Sequence, residues 1–166
     1  MKTRSIVQLG LLTATAMILH TAESWVAIPS PVPGIKLGLA NSVSLFALAV
    51  FGMRAALYIT FTRIFLGSIV GGVFIGPAFA LSAAGGLGSI LLMGWVCRSF
   101  KPPLSVIGAS VIGAAAHSFI QVLTAAVLVS SISLLWYIPY VVLLAIPMGL
   151  VTGYTSGYFM GRMPPQ

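Results

Sequence analysis

The chain has 166 residues, of which 59% are hydrophobic and 5% are charged, with eight Lys and Arg against a single acidic residue. Soluble domains carry about 25% charge, so a soluble globular protein is excluded. With no aspartate, and with Glu23 as the sole acidic side chain, two-carboxylate mechanisms, Asp-rich metal sites and a Ser-His-Asp triad all lack their parts.

A helix needs about 20 apolar residues, at 1.5 Å rise each, to cross a bilayer. Six such stretches fit between the breaks, at about 5–22, 35–51, 55–75, 79–97, 104–131 and 134–160. The expected fold is all-α, a polytopic bundle of six transmembrane helices forming one integral membrane domain over 1–166. In the first stretch Lys2 and Arg4, an apolar run and His20-Thr21-Ala22 before Glu23 also fit a secretory signal. A retained first span is the simpler expectation, because it keeps His20 and Glu23 beside the other polar residues. Between the first and second stretches lies Pro29-Ser30-Pro31-Val32-Pro33-Gly34, a stiff connection.

Later breaks fall at Gly52-Met53-Arg54, Gly76-Pro77, Lys101-Pro102-Pro103 and Ser130-Ser131. Pro139 and Pro147 lie inside the sixth stretch, where a kink is expected rather than a break. If directions alternate, Lys2, Arg4, Arg54, Arg98, Lys101 and Arg162 share one side, while the other has Lys36 with Glu23. The basic excess marks the cytoplasmic side. A multi-pass protein of the plasma membrane with both termini cytoplasmic is therefore expected. The basic residues are scattered over connections and form no stripe with aromatics, so nucleic acid is not expected as a partner.

Small residues form ridges. Gly149, Gly153, Gly157 and Gly161 are spaced by four, and Ala145 extends the stripe by one turn. Such faces let backbones approach closely, either inside the bundle or against a partner. The third stretch has Gly67 with Gly71, and the fourth has Ala84 with Gly88 beside Gly85-Gly86. Cys97 cannot form an internal disulfide, and no residue set suggests a metal or a cofactor.

A charged side chain at mid-membrane costs about 2.5–3.5 kcal/mol on insertion scales, so each needs a reason. Arg63 lies deep in the third span. His117 and Gln121 share one face of the fifth, continuing the small stripe Ser105, Ala109 and Gly113. His20 and Glu23 share a face near the outer end of the first span, and Lys36 and Asn41 fall at or just below the outer boundary. Apart from Arg63, these residues all belong to the outer half, as a cavity open to the outside would require. Lys36 suits an anionic group, while His117, Gln121 and Asn41 suit a polar ring or head group. Each also has a structural alternative: a Glu23–Lys36 pair, an Arg63 that satisfies carbonyls, a His117 bonded between helices. Trp25, Trp136, Tyr137 and Tyr140 gather at the same level, as an interfacial belt does.

The block Pro33-Gly34-Ile35-Lys36-Leu37-Gly38-Leu39-Ala40-Asn41, then Gly52, Ala55, Arg63 and Gly67, resembles the Gx transporter family, also called heptaprenyl diphosphate synthase component I. The stretch from Ser82 to Met93 around Gly85-Gly86, the Ala114-Ala115-Ala116-His117 to Gln121 segment and the glycine-rich last span extend the resemblance over nearly the whole chain. Ser118 departs from it, since Asn is expected after the His. The family is similar to the substrate-binding S components of energy-coupling-factor importers. That likeness implies six helices, a pocket near the outer face covered by the first connection, and as partners a transmembrane coupling subunit and two cytoplasmic ATPases. It also implies docking through a small face on the first helix, where Ala14 falls.

No Gly-rich run ends in Gly-Lys-Ser or Gly-Lys-Thr, so ATP hydrolysis by that route is not this chain's own. Prenyl diphosphate synthesis relies on Asp-rich magnesium motifs, which a chain without aspartate cannot supply. A non-enzymatic subunit is expected. It either binds a small vitamin-like or precursor solute for import, or serves as an accessory holding a prenyl synthase subunit at the membrane. A carrier driven by protons alone fits less well, because the one carboxylate is Glu23.

Overall fold

The structure, a computed structural model, describes residues 3–25, 39–99 and 105–162. Among the described residues every regular element is helical: α1 (Thr3–Trp25), α2 (Asn41–Phe51), α3 (Met53–Val70), α4 (Pro77–Ser99), α5 (Val106–Leu128) and α6 (Ile138–Gly161), with a 3-10 helix at Ile132–Tyr137 leading into α6. Among the described residues four stretches are long and apolar enough to cross a membrane: Met53–Val70, Pro77–Ser99, Val106–Leu128 and Ile132–Gly161. The chain is an α-helical membrane protein.

The second expected span, 35–51, is helical over Asn41–Phe51. Those 11 residues reach about 16 Å at helical rise, roughly half the hydrocarbon layer. Residues 35–38, with Lys36, lie outside the described residues, as do the Pro29–Gly34 connection and Lys101-Pro102-Pro103. What α2 lacks in length it makes up in position, since it touches each of the other five α-helices. Val43, Leu45, Phe46 and Ala47 are its buried apolar side chains.

Local chemistry explains the turns. Gly52 alone separates α2 from α3, at φ 83°, a conformation that only glycine adopts at no cost. Pro77 opens α4, where its missing N–H would lack a helical partner anyway. Ser105 caps α5 by accepting from the Gly108 N–H at 3.1 Å. Ser130, at φ 52°, turns the chain after α5. Pro139, expected to kink the sixth helix, instead begins it. It sits in the first turn of α6, just after the 3-10 helix, where its missing N–H would lack an α-helical partner anyway. Pro147 does lie within α6.

The glycine stripe of α6 divides. A Cβ on Gly149 would stand 2.7 Å from Val111 Cα, and one on Gly153 2.7 Å from Ile107 Cα. This half of the stripe is therefore the seat of α5, and a 2.7 Å hydrogen bond between Ser110 and Thr152 locks it. Gly157 and Gly161 have open space beside them. α3, α4, α5 and α6 pack in sequence, and α1 packs on α3 and α2.

Candidate functional site

Arg63 projects from α3 into the bundle interior, where it is 2% exposed. Its Nη2 donates to the Asn41 side-chain oxygen at 2.6 Å, and Nη1 makes a long contact of 3.5 Å with His20 Nδ1. An arginine can only donate, so a hydrogen bond across this contact requires the acceptor lone pair on Nδ1. The His20 ring fits because Gly67 lies beneath it: a Cβ there would be 2.9 Å from His20 Cδ2. One turn after His20, Glu23 is 3% exposed and accepts from the Leu39 N–H at 3.2 Å.

Asn41, the first residue of α2, extends the chain of bonds by donating to Ser89 Oγ at 3.3 Å, and Ser89 donates to the Gly86 carbonyl at 3.0 Å. Ser89 stands midway along α4, so Asn41 lies well inside the bundle rather than at a boundary. A second rung lies one turn along, where Ser44 and Thr60 share a 2.7 Å hydrogen bond. Four helices thus converge on one guanidinium.

His117, Ser118 and Gln121 of α5 are all buried, on the other side of the Gly85-Gly86 pair. A Cβ on Gly85 would stand 2.7 Å from Gln121 Cγ and 3.1 Å from His117 Cε1, while one on Gly86 would be 3.6 Å from Arg63 Nη2. Two adjacent glycines therefore let the α5 polar residues and the Arg63 network approach α4 from two faces. Arg63 Nε and Ser118 Oγ have no hydrogen-bond partner among the described residues. Buried polar atoms in native structures are otherwise nearly all paired.

The structure thus joins His20, Asn41 and Arg63 directly, and it adds Ser89, Ser44 and Thr60, which sequence reasoning did not single out. Helical spacing carried a signal for two of them: Ser44 follows Asn41 by three, and Thr60 precedes Arg63 by three. Lys36 is outside the described residues. Ala14 is exposed on α1. Trp136 is 86% exposed, with Tyr137 and Tyr140 also exposed, consistent with an interfacial belt. No group of three or more His, Cys, Asp or Glu gathers among the described residues. The buried interior thus holds donors on Arg63 and Asn41, with a histidine and an amide on α5.

Apolar helices around a buried polar network define a polytopic helical membrane protein with a polar interior. Its sequence matches the heptaprenyl diphosphate synthase component I family over residues 12–159, and the chain belongs to that family. The match includes both the stretch 33–67 and the His117–Gln121 segment on which the resemblance rested. No curated protein and no solved structure matches the chain.

Proposed function

We infer that this chain is the substrate-binding membrane subunit of an energy-coupling-factor-type importer, taking a small vitamin-like or precursor solute with a polar or anionic head group. The observation that carries this reading is the guanidinium of Arg63, buried beside His20 and Asn41 and backed by Gly86. A membrane bundle needing only to pack would place leucine there, because a buried cation costs several kcal/mol before its hydrogen bonds return anything. His117 and Gln121 complete the set from α5, Glu23 from α1, and Lys36 from the connection that follows it. The subunit is not an enzyme in this reading. It works with a transmembrane coupling subunit and cytoplasmic ATPases, the exposed Ala14 face of α1 being the docking surface, and both termini are cytoplasmic.

The family's name favours a second reading, a noncatalytic membrane accessory that holds a prenyl synthase subunit in place. Native mass spectrometry of the protein gently extracted from its own membrane separates the two. A retained small molecule, lost in Arg63→Met and His117→Ala, supports the importer subunit. A ligand-free complex with a soluble prenyl synthase overturns it in favour of the accessory.

A further inference from the structure

α1 and α6 make no contact among the described residues, although both pack on α2. Between them opens a cleft of about 740 Å³ with α2 contributing its inner wall. That is within the usual range of about 300–1,000 Å³ for small-molecule sites. Its walls carry five hydroxyls, on Thr15, Ser42, Thr152, Thr155 and Ser156. Residue names alone suggest a polar lining, but the hydrogen bonds say otherwise. Thr15 donates to the Leu11 carbonyl at 3.0 Å, Ser42 to Leu39 at 2.8 Å, Thr152 to Met148 at 2.9 Å, Thr155 to Val151 at 3.0 Å and Ser156 to Ser42 at 3.0 Å. A hydroxyl has one proton. Each is committed to a backbone carbonyl, so the wall presents methyls, methylenes and the side chains of Leu12, Val43 and Phe46 rather than donors.

Among the described residues one cation lines the cleft. Arg162 follows the last turn of α6, is exposed, and lies over the Tyr158 ring at 4.2 Å from its centroid. A basic residue at the end of an apolar stretch sits at head-group depth. An apolar trough running between helices, with an exposed guanidinium at the end of α6, matches the charge distribution of an anionic phospholipid.

We propose that the cleft between α1 and α6 binds one anionic phospholipid of the surrounding bilayer, an acyl chain lying along α2 and the head group at Arg162. This site is separate from the Arg63 network, so the proposal stands or falls independently of the importer reading.

The test is native mass spectrometry of the full chain in mild detergent, titrated with phosphatidylglycerol or phosphatidylcholine. One phosphatidylglycerol is retained at about fivefold lower concentration than phosphatidylcholine, the preference expected of one surface cation. Arg162→Gln brings the two lipids level. Thr155→Trp fills the cleft and abolishes retention of both, whereas Leu143→Trp, at a 66% exposed position outside the cleft, changes neither. A thermal unfolding midpoint confirms that each variant folds. If Thr155→Trp does not fold, the head-group preference and its loss in Arg162→Gln decide. Equal retention of the two lipids by the unaltered chain, or undiminished retention in a folded Thr155→Trp, overturns the proposal. So does a polar solute or a protein chain as the species that Thr155→Trp displaces.

Discussion

Arg63 of α3 donates to the side-chain oxygen of Asn41 at 2.6 Å, tying the middle of a long helix to the first residue of the shortest one. That bond fixes where α2 begins within the bundle, because Asn41 in turn reaches Ser89 on α4. Replacing Arg63 by Met keeps the volume and removes the buried charge. Replacing both members of a buried charged pair by apolar groups can be neutral, but removing one strands the other, and the buried carboxylate of Glu23 acts electrostatically on Arg63. Arg63→Met is therefore expected to cost about 3–5 kcal/mol while abolishing retention of the bound solute. Asn41→Leu, which takes away one acceptor from the guanidinium and the donor to Ser89, is expected to cost about 1–3 kcal/mol. Thermal unfolding in detergent, paired with native mass spectrometry, reads both. A solute held equally well by Arg63→Met would remove Arg63 from the site.

The two neighbouring glycines of α4 separate stability from binding. A methyl at Gly85 meets Gln121 Cγ at 2.7 Å, close to the α5 backbone, whereas one at Gly86 meets the terminal Cδ1 of Ile64 at 2.7 Å, which can rotate away. Gly85→Ala should displace His117 and Gln121, costing about 1–3 kcal/mol and most of the solute binding. Gly86→Ala should cost less than about 1 kcal/mol, with binding retained. Matching losses in the two variants would show that the α5 polar face is not seated on Gly85.

The helical character and the long apolar stretches were legible because membrane spans declare themselves in hydropathy: α3, α4, α5 and α6 lie within a few residues of the runs 55–75, 79–97, 104–131 and 134–160. Buried polar candidates were legible for the same reason, since Arg63, His117 and Gln121 interrupt apolar runs. Their partners were not. Ser44, Thr60 and Ser89 are common in membrane helices, and only the cross-helix bonds distinguish them from hydroxyls such as Thr15 that serve their own backbone. Asn41 was expected near a boundary because the apolar run begins at Ile35, yet its bond to Ser89 draws it to the middle of α4. Nor did the even spacing of the α6 glycines reveal that the contact with α5 ends at Gly153.

That division of the stripe is testable by single methyl groups. Gly149→Ala and Gly153→Ala push against the backbone of α5 at 2.7 Å and should each destabilise the protein by about 1–3 kcal/mol. Gly157→Ala and Gly161→Ala meet open space and should fall within about 0.5 kcal/mol of the unaltered chain. Unfolding midpoints in one detergent compare all four. Equal effects at Gly153 and Gly157 would show that the stripe is a single packed face.

Between α3 and α4, Ile75 holds φ at 64°, where a β-branched side chain crowds its own backbone. Its side chain is 81% exposed, so it gains little in compensation from packing against the protein. Ile75→Gly should raise stability by about 1 kcal/mol, the relief of left-handed strain outweighing the extra freedom of glycine when unfolded. A lowered midpoint would mean that Ile75 is held by contacts with lipid or a partner that outweigh the strain.

The arrangement of charges predicts sidedness. Arg54, beside the α2–α3 turn, and Arg162, after α6, belong to the basic set expected in the cytoplasm, while Ile75 and Trp136 lie on connections without a charged residue. Four single-cysteine variants in a Cys97→Ala background, Arg54→Cys, Gly161→Cys, Ile75→Cys and Trp136→Cys, can be exposed to a membrane-impermeant maleimide in intact cells. Ile75→Cys and Trp136→Cys should be labelled from outside, and the other two only after the cells are opened. The reverse pattern would place the termini outside. Labelling of all four from outside would mean that the helices do not alternate across the bilayer, and the polar interior would then need a different route of access.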